Sequence, residues 1–289
     1  MNQIAMNNFL IGDGAPLVLI AGPCVIEDEE KTISIAVYLK KMAERIKIPF
    51  IFKASYDKAN RTSLEGYRGP GLLSGLDVLS KIRRELQIPV LSDVHRFEEI
   101  EPAAQVLDVV QVPAFLCRQT DFVMEVARAA RVINIKKGQF LAPWDMAQVV
   151  EKVRKAGNRQ LMLTERGTCF GYNNLVVDFR GIPVMKALDY PLIFDATHSV
   201  QLPGGAGTSS GGQRDMVPYL ARAAVAVGVD GVFFEVYPDP EQAMCDGPNA
   251  LYLDSLEPLL RELQIIDRVV KGRMSLSHDP GCGQERQFV

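Results

Sequence analysis

Five cations along this 289-residue chain each stand at or just beyond the end of a short apolar run: Lys53, Lys58, Arg61, Lys136 and Arg166. A cation in such a place is costly to bury unless something pairs it. Internal salt bridges to Asp57, Asp93 and Glu165 would do so. The cations outnumber these acids, so the better fit is a pocket for a strongly anionic ligand with more than one phosphate or carboxylate. Arginine clamps oxyanions through paired hydrogen bonds, and lysine acts as a point charge. Thr62 and Ser63, beside Arg61, add hydroxyl donors.

A second set has metal-binding character. Cys24, His198 and Glu235 also follow apolar runs, and Asp246 lies in the segment after the last of them. Thiolate, imidazole and two carboxylates suit Zn2+, Fe2+ or Mn2+ rather than Mg2+. A lone histidine is more often a hydrogen-bonded structural residue, and a free cysteine is often just buried. The set therefore has meaning only if the fold gathers it. Cys117, Cys169, Cys245 and Cys282 are expected to be structural or incidental. The glycine-rich stretch 204–212 reads as a phosphate cradle or as a mobile lid, and the lid is favoured. No GxxxxGK[ST] motif is present and no GxGxxG follows the first apolar run, which argues against nucleotides.

Such scattered residues need a scaffold that converges them. Eight apolar, β-branched runs recur at 17–21, 49–52, 89–91, 109–112, 132–135, 161–163, 191–194 and 231–234. Continuous apolar runs are the mark of parallel strands buried on both faces. Helical periodicity separates them, at 29–46, 73–86, 97–107, 120–130, 143–156, 184–188, 216–227 and 253–263. Eight such units in roughly 250 residues predict an α/β fold, a (β/α)8 TIM barrel, with chemistry at the C-terminal ends of its strands. In a closed barrel the last strand lies beside the first, so Cys24, His198, Glu235 and Asp246 become neighbours. The segment before the first run predicts a short N-terminal hairpin plugging the barrel bottom, with Gly12-Asp13-Gly14 as a turn signal. Residues 172–183 alternate and predict an extended excursion. Loops 56–71 and 200–214 are long enough to be functional. One domain spans 1–272, and the aperiodic tail 273–289 is expected to be disordered.

Composition narrows the class. The chain is 47% hydrophobic and 23% charged, with net charge −3. That is ordinary for a globular protein and argues against a nucleic-acid or acidic-membrane binder. Five cysteines without a CxxC pattern fit a reducing cytoplasm rather than a disulfide framework. No signal peptide is evident and no apolar run approaches the ~20 residues of a membrane span.

Several motifs are specific: IAGPCVIED, KASYDKANRTS, LSDVH, QVPAFLCRQTD, NIKKGQF, TERGTCFGYNNLVVD, FDATHSVQLPGG and FFEVYPDP with CDGPNAL. Together, over residues 8–270, they resemble the 3-deoxy-D-manno-octulosonate 8-phosphate synthase family. The resemblance implies a transferase that condenses phosphoenolpyruvate with D-arabinose 5-phosphate and water for lipopolysaccharide biosynthesis, releasing phosphate. It implies a homotetramer. Lys53, Gln111, Ala114, Lys136, Gln139 and Arg166 would bind phosphoenolpyruvate. Asn60, Arg61 and Thr62 would hold the sugar phosphate, with Arg61 acting across a subunit interface. Asp93 would contact sugar hydroxyls and Lys58 would lie between the substrates. Lys58, His198, Cys24 and Asp246 would be catalytic. Metal-dependent relatives carry cysteine at the position of Cys24 and metal-independent ones asparagine, so Cys24, His198, Glu235 and Asp246 imply a divalent ion: Zn2+, Fe2+, Mn2+ or Co2+. The Cys245-Asp246-Gly247-Pro248 run also resembles metal-independent members. The rival is the sister synthase that uses erythrose 4-phosphate and favours Lys-Pro-Arg-Thr-Ser where this chain has Lys58-Ala59-Asn60-Arg61-Thr62-Ser63.

Overall fold

A computed structural model describes residues 2–61, 63–205 and 210–272. Thr62, the glycine-loop residues 206–209 and the tail 273–289 with Cys282 lie outside the described residues. All eight apolar runs are strands: β1 (Val18–Gly22), β2 (Phe50–Lys53), β3 (Val90–Asp93), β4 (Val109–Val112), β5 (Val132–Lys136), β6 (Leu161–Glu165), β7 (Leu192–Asp195) and β8 (Gly231–Tyr237). Every residue in them is buried. Each pairs in parallel with its sequence neighbour. The sheet closes where β8 pairs with β1, with Gly231 opposite Val18 and Glu235 opposite Gly22. The (β/α)8 barrel predicted from periodicity is therefore present.

Helices α1 (Glu29–Ile46), α2 (Leu72–Leu86), α3 (Phe97–Val106), α4 (Thr120–Ala129), α5 (Met146–Lys155), α6 (Gly181–Lys186), α7 (Val217–Val227) and α8 (Leu256–Val270) cover the strands. In α1 the Asp28 carboxylate caps the backbone N–H of Lys31, Glu29 and Glu30 sit in the first turn, and Arg45 sits in the last, all as the helix dipole favours. The helices and the outer strand faces share one apolar layer. A separate cluster fills the barrel interior and includes Ile20, Ile51, Leu91, Met162 and Phe233.

The N-terminal hairpin exists, as Ile4–Met6 against Phe9–Ile11. Its turn is at Asn7-Asn8, not at Gly12-Asp13-Gly14, with Asn7 in the left-handed region at φ 46°. Asparagine tolerates that conformation. Ile4, Met6 and Ile11 join the interior cluster alongside Val18, Val109 and Val132, which plugs the bottom.

The 172–183 stretch differs from its expectation. It contributes one strand of a two-residue ribbon, Leu175–Val176 on Thr168–Cys169, and then α6 begins at Gly181, before the 184 start expected from periodicity.

Candidate active site

The strand ends open into one cleft at the C-terminal face. It is lined by Lys53, Lys58, Asn60, Arg61, Asp93, Gln111, Ala114, Lys136, Gln139, Arg166, His198 and Asp246, together with Gln201 and Ser210. Twelve residues expected from sequence thus converge, and Thr62 lies outside the described residues. The space between the walls, part of it open to solvent, is about 920 Å³.

Salt bridges hold the lysines of this cleft. Lys53, at the end of β2, bonds the Ser55 hydroxyl at 2.7 Å and lies 3.8 Å from Asp93 and 3.9 Å from Glu235. Burial and the neighbouring Lys58 lower its pKa. Burial would lower Lys58 as well, but Cys24 and Glu235, 3.7 Å from the ammonium in the latter case, outweigh it and hold it well above the ordinary lysine value. Burial opposes ionisation of Asp93, yet Lys53 and His95 keep its carboxyl well below the usual range. Lys136 is fixed by Asp195 at 2.5 Å and sits 4.6 Å above the Phe233 ring.

The two arginines differ. Among the described residues neither Arg61 nor Arg166 has a carboxylate within ion-pairing distance. Arg166 donates one N–H to Gln201 at 3.1 Å, and Arg61 donates to the Cys245 sulfur at 2.8 Å. Arg166 Nη1, Arg61 Nε and Gln139 Oε1 are buried with no hydrogen-bond partner among the described residues. Buried donors are rarely left so, and an anion arriving in the cleft would satisfy the guanidinium groups.

The metal-type residues gather at the floor. Asp195 accepts from His198 Nδ1 at 2.8 and 3.0 Å, and the imidazole stacks on Phe233. This places the proton on Nδ1 and leaves Nε2 free to ligate, 3.5 Å from Glu235. Glu235 is fully buried and, among the described residues, neither carboxylate oxygen has a hydrogen-bond partner. A buried carboxylate that accepts no hydrogen bond, with the Lys58 and Lys53 ammoniums no nearer than 3.7 and 3.9 Å, fits a divalent cation beside an oriented imidazole. The four expected ligands do not form one tight group, however. His198, Glu235 and Asp246 have ligand atoms within 4.8 Å of one another, and Cys24 shares Asp246 with a different group.

That other group corrects the sequence reading. Cys245, expected to be structural, has its sulfur 2.8 Å from that of Cys24 and 3.5 Å from Asp246 Oδ2. Cys24 itself lies 3.3 Å from Asp246. Burial, Cys245 and Glu235 push the Cys24 thiol well up. Burial opposes ionisation of Asp246, but Lys58 and His198 hold it below the usual carboxylate range. The contact depends on the backbone at Asp246, which takes φ 47°. Nothing in residue spacing signals such a turn.

Asp195, which follows the seventh apolar run, and Gln201 also belong to the site, though neither has a role assigned from sequence. Asp195 ends a strand in the motif FDATHS and anchors both Lys136 and His198, while Gln201 bridges Arg166 and Asp246. A buried acid at a strand end was the available signal for Asp195.

The chain is similar to known proteins over nearly its full length. Residues 2–271 match the DAHP synthetase I family. The chain is 63% identical over 266 residues to a protein of Desulfosudis oleivorans, covering 92% of this chain and 95% of that one. It is 59% identical over 271 residues to one of Geotalea daltonii, covering 94% and 100%. It is 58% identical over 269 residues to one of Geobacter sulfurreducens, covering 93% and 99%. Each of the three is named 2-dehydro-3-deoxyphosphooctonate aldolase. With its closed barrel, cationic cleft and near full-length match, the chain belongs to the DAHP synthetase I family.

Proposed function

We propose that this protein is a 3-deoxy-8-phosphooctulonate synthase, condensing phosphoenolpyruvate with D-arabinose 5-phosphate and water to give 3-deoxy-D-manno-octulosonate 8-phosphate and inorganic phosphate. The observation that carries the reading is the cleft itself, where two unpaired arginines and three fixed lysines face one space. Two phosphates and a carboxylate require about that much positive charge. The shared name of relatives 58–63% identical favours the eight-carbon product over the seven-carbon product of the erythrose 4-phosphate synthase.

In this reading Lys53, Lys136 and Arg166 hold phosphoenolpyruvate, with Gln111, Ala114 and Gln139 completing its walls. Lys136 cannot swing, because Asp195 and Phe233 hold it from two sides. Asn60, Arg61 and Thr62 take the sugar phosphate, and Asp93 accepts from sugar hydroxyls. Lys58 lies between the substrates, near the aldehyde. Carbon 3 of the enol attacks that aldehyde, water adds at carbon 2, and the resulting hemiketal expels phosphate. Holding both reactants in one geometry removes much of the entropic barrier of a two-substrate step.

Cys24, His198, Glu235 and Asp246 would hold a divalent ion such as Zn2+, Fe2+, Mn2+ or Co2+. Such an ion supplies Lewis-acid polarisation and orientation of an oxygen ligand. Asp195 fixes the imidazole tautomer that leaves Nε2 available. We also read the enzyme as a cytoplasmic homotetramer. Exposed Phe115, Phe140 and Phe170 on the strand-end loops support a subunit contact, and no helix among the described residues is long and apolar enough to cross a membrane.

The test is phosphorus NMR of the protein with both substrates. Loss of the phosphoenolpyruvate and arabinose 5-phosphate signals, with equal gain of inorganic phosphate and one new sugar phosphate, is expected. Consumption of phosphoenolpyruvate without a new sugar phosphate would refute the reading.

A further inference from the structure

We propose that Cys245 is a second thiolate donor to the metal centre, binding the same ion as Cys24 and Asp246. The inference deepens the metal-site reading above and rests on it. Cys24, Cys245 and Asp246 place two sulfurs and a carboxylate oxygen within 4.8 Å of one another. Both sulfurs are buried. Asp246 also belongs to the group with His198 and Glu235, so one carboxylate joins the two halves of the centre. Glu235 is an independent sign that a cation fits there, since among the described residues neither of its oxygens accepts a hydrogen bond and the nearest ammonium, that of Lys58, stays 3.7 Å away.

The backbone is shaped for this. With Asp246 at φ 47°, two consecutive side chains turn toward one point rather than to opposite sides. Gly247 holds the turn in place, since a Cβ there would lie 2.3 Å from the Pro240 carbonyl oxygen. Arg61 donates to the Cys245 sulfur at 2.8 Å. The same contact links the proposed sugar-phosphate pocket to the metal centre. Two thiolates shift ion preference toward Zn2+ and Co2+ and away from Mn2+, because thiolate is the soft ligand of the set.

The test uses metal-free, full-length protein, kept reduced and anaerobic so that the adjacent thiols stay open. Co2+ is titrated into wild type, Cys245→Ser, Cys245→Ala and Cys24→Ser, and the near-ultraviolet thiolate-to-cobalt charge-transfer band is read. Its intensity follows the number of Co–S bonds. The expected result is about half the wild-type intensity in each single variant, with Cys245→Ala serving should the serine protein fold poorly. A full band in both Cys245 variants, with none in Cys24→Ser, would overturn the role of Cys245 while leaving the metal site intact. No band in any protein would overturn both. In competition with a chromophoric chelator, Cys245→Ser should weaken Zn2+ about tenfold, about 1.4 kcal/mol, and leave Mn2+ within about twofold. Equal Zn2+ affinity in wild type and variant would also overturn it.

Discussion

Arg166 and His95 each make the site's electrostatics measurable one side chain at a time. Arg166 is buried, and burial lowers its pKa, yet one of its terminal nitrogens has no hydrogen-bond partner among the described residues. In the proposed reading that nitrogen binds the phosphoenolpyruvate anion. Arg166→Ala should raise the KM for phosphoenolpyruvate on the order of ten- to a hundredfold, since a charged hydrogen bond is worth about 1.5–3 kcal/mol. Steady-state kinetics with that substrate varied checks this, and unchanged values would remove Arg166 from the site. His95 lies 3.3 Å from Asp93. Burial would lower its pKa, but Asp93 and Glu99 raise it overall. Because the folded value is raised, its contribution to stability is complete below the ordinary histidine pKa and is lost as pH climbs through the raised one. A histidine proton NMR titration should give a midpoint above the usual value, and one below it would contradict the pairing. The lysines, arginines and Asp93 were legible in sequence because charge at the end of an apolar strand is conspicuous. Cys245 was not, because its role depends on a left-handed turn at its neighbour.

At the scale of elements, strands were the easiest to read. Burial on both faces demands uninterrupted apolar runs, and β4 begins and ends where its run does. Helix α1 likewise spans its periodic stretch, bounded by the Asp28 cap and a left-handed Lys47. Short elements were less legible. Helix α6 has only six residues, too few for periodicity to locate, and the hairpin turn fell on asparagines rather than on the stronger glycine signal. Close approach between strands is also invisible in composition. Gly22 ends β1 where a Cβ would lie 1.9 Å from the carbonyl oxygen of Lys53. Gly22→Ala must push β1 from β2 and displace Lys53. Such overpacking costs about 1–3 kcal/mol or more. Chemical denaturation should show that loss together with a fall in kcat, and a variant as stable and active as wild type would refute the steric reading.

For the whole molecule, closure of the barrel makes chemistry out of dispersed residues. Cys24 and Glu235 sit near opposite ends of the chain and become neighbours because β8 pairs with β1. Barrel order was readable from eight repeats, and the position of each strand end followed. The precise grouping of the metal-type residues was not, since it depends on how the loop after β8 folds back over the floor. If the ion is required, a chelator at neutral pH should abolish turnover, and Zn2+, Mn2+, Co2+ or Fe2+ should restore it to differing degrees. Full activity in protein shown by elemental analysis to be metal-free would remove the ion from the mechanism. The most direct test of the account as a whole is phosphate release from phosphoenolpyruvate with arabinose 5-phosphate and erythrose 4-phosphate assayed side by side. A higher kcat/KM for arabinose 5-phosphate is expected. A higher value for erythrose 4-phosphate, or no phosphate release with either sugar, would contradict it.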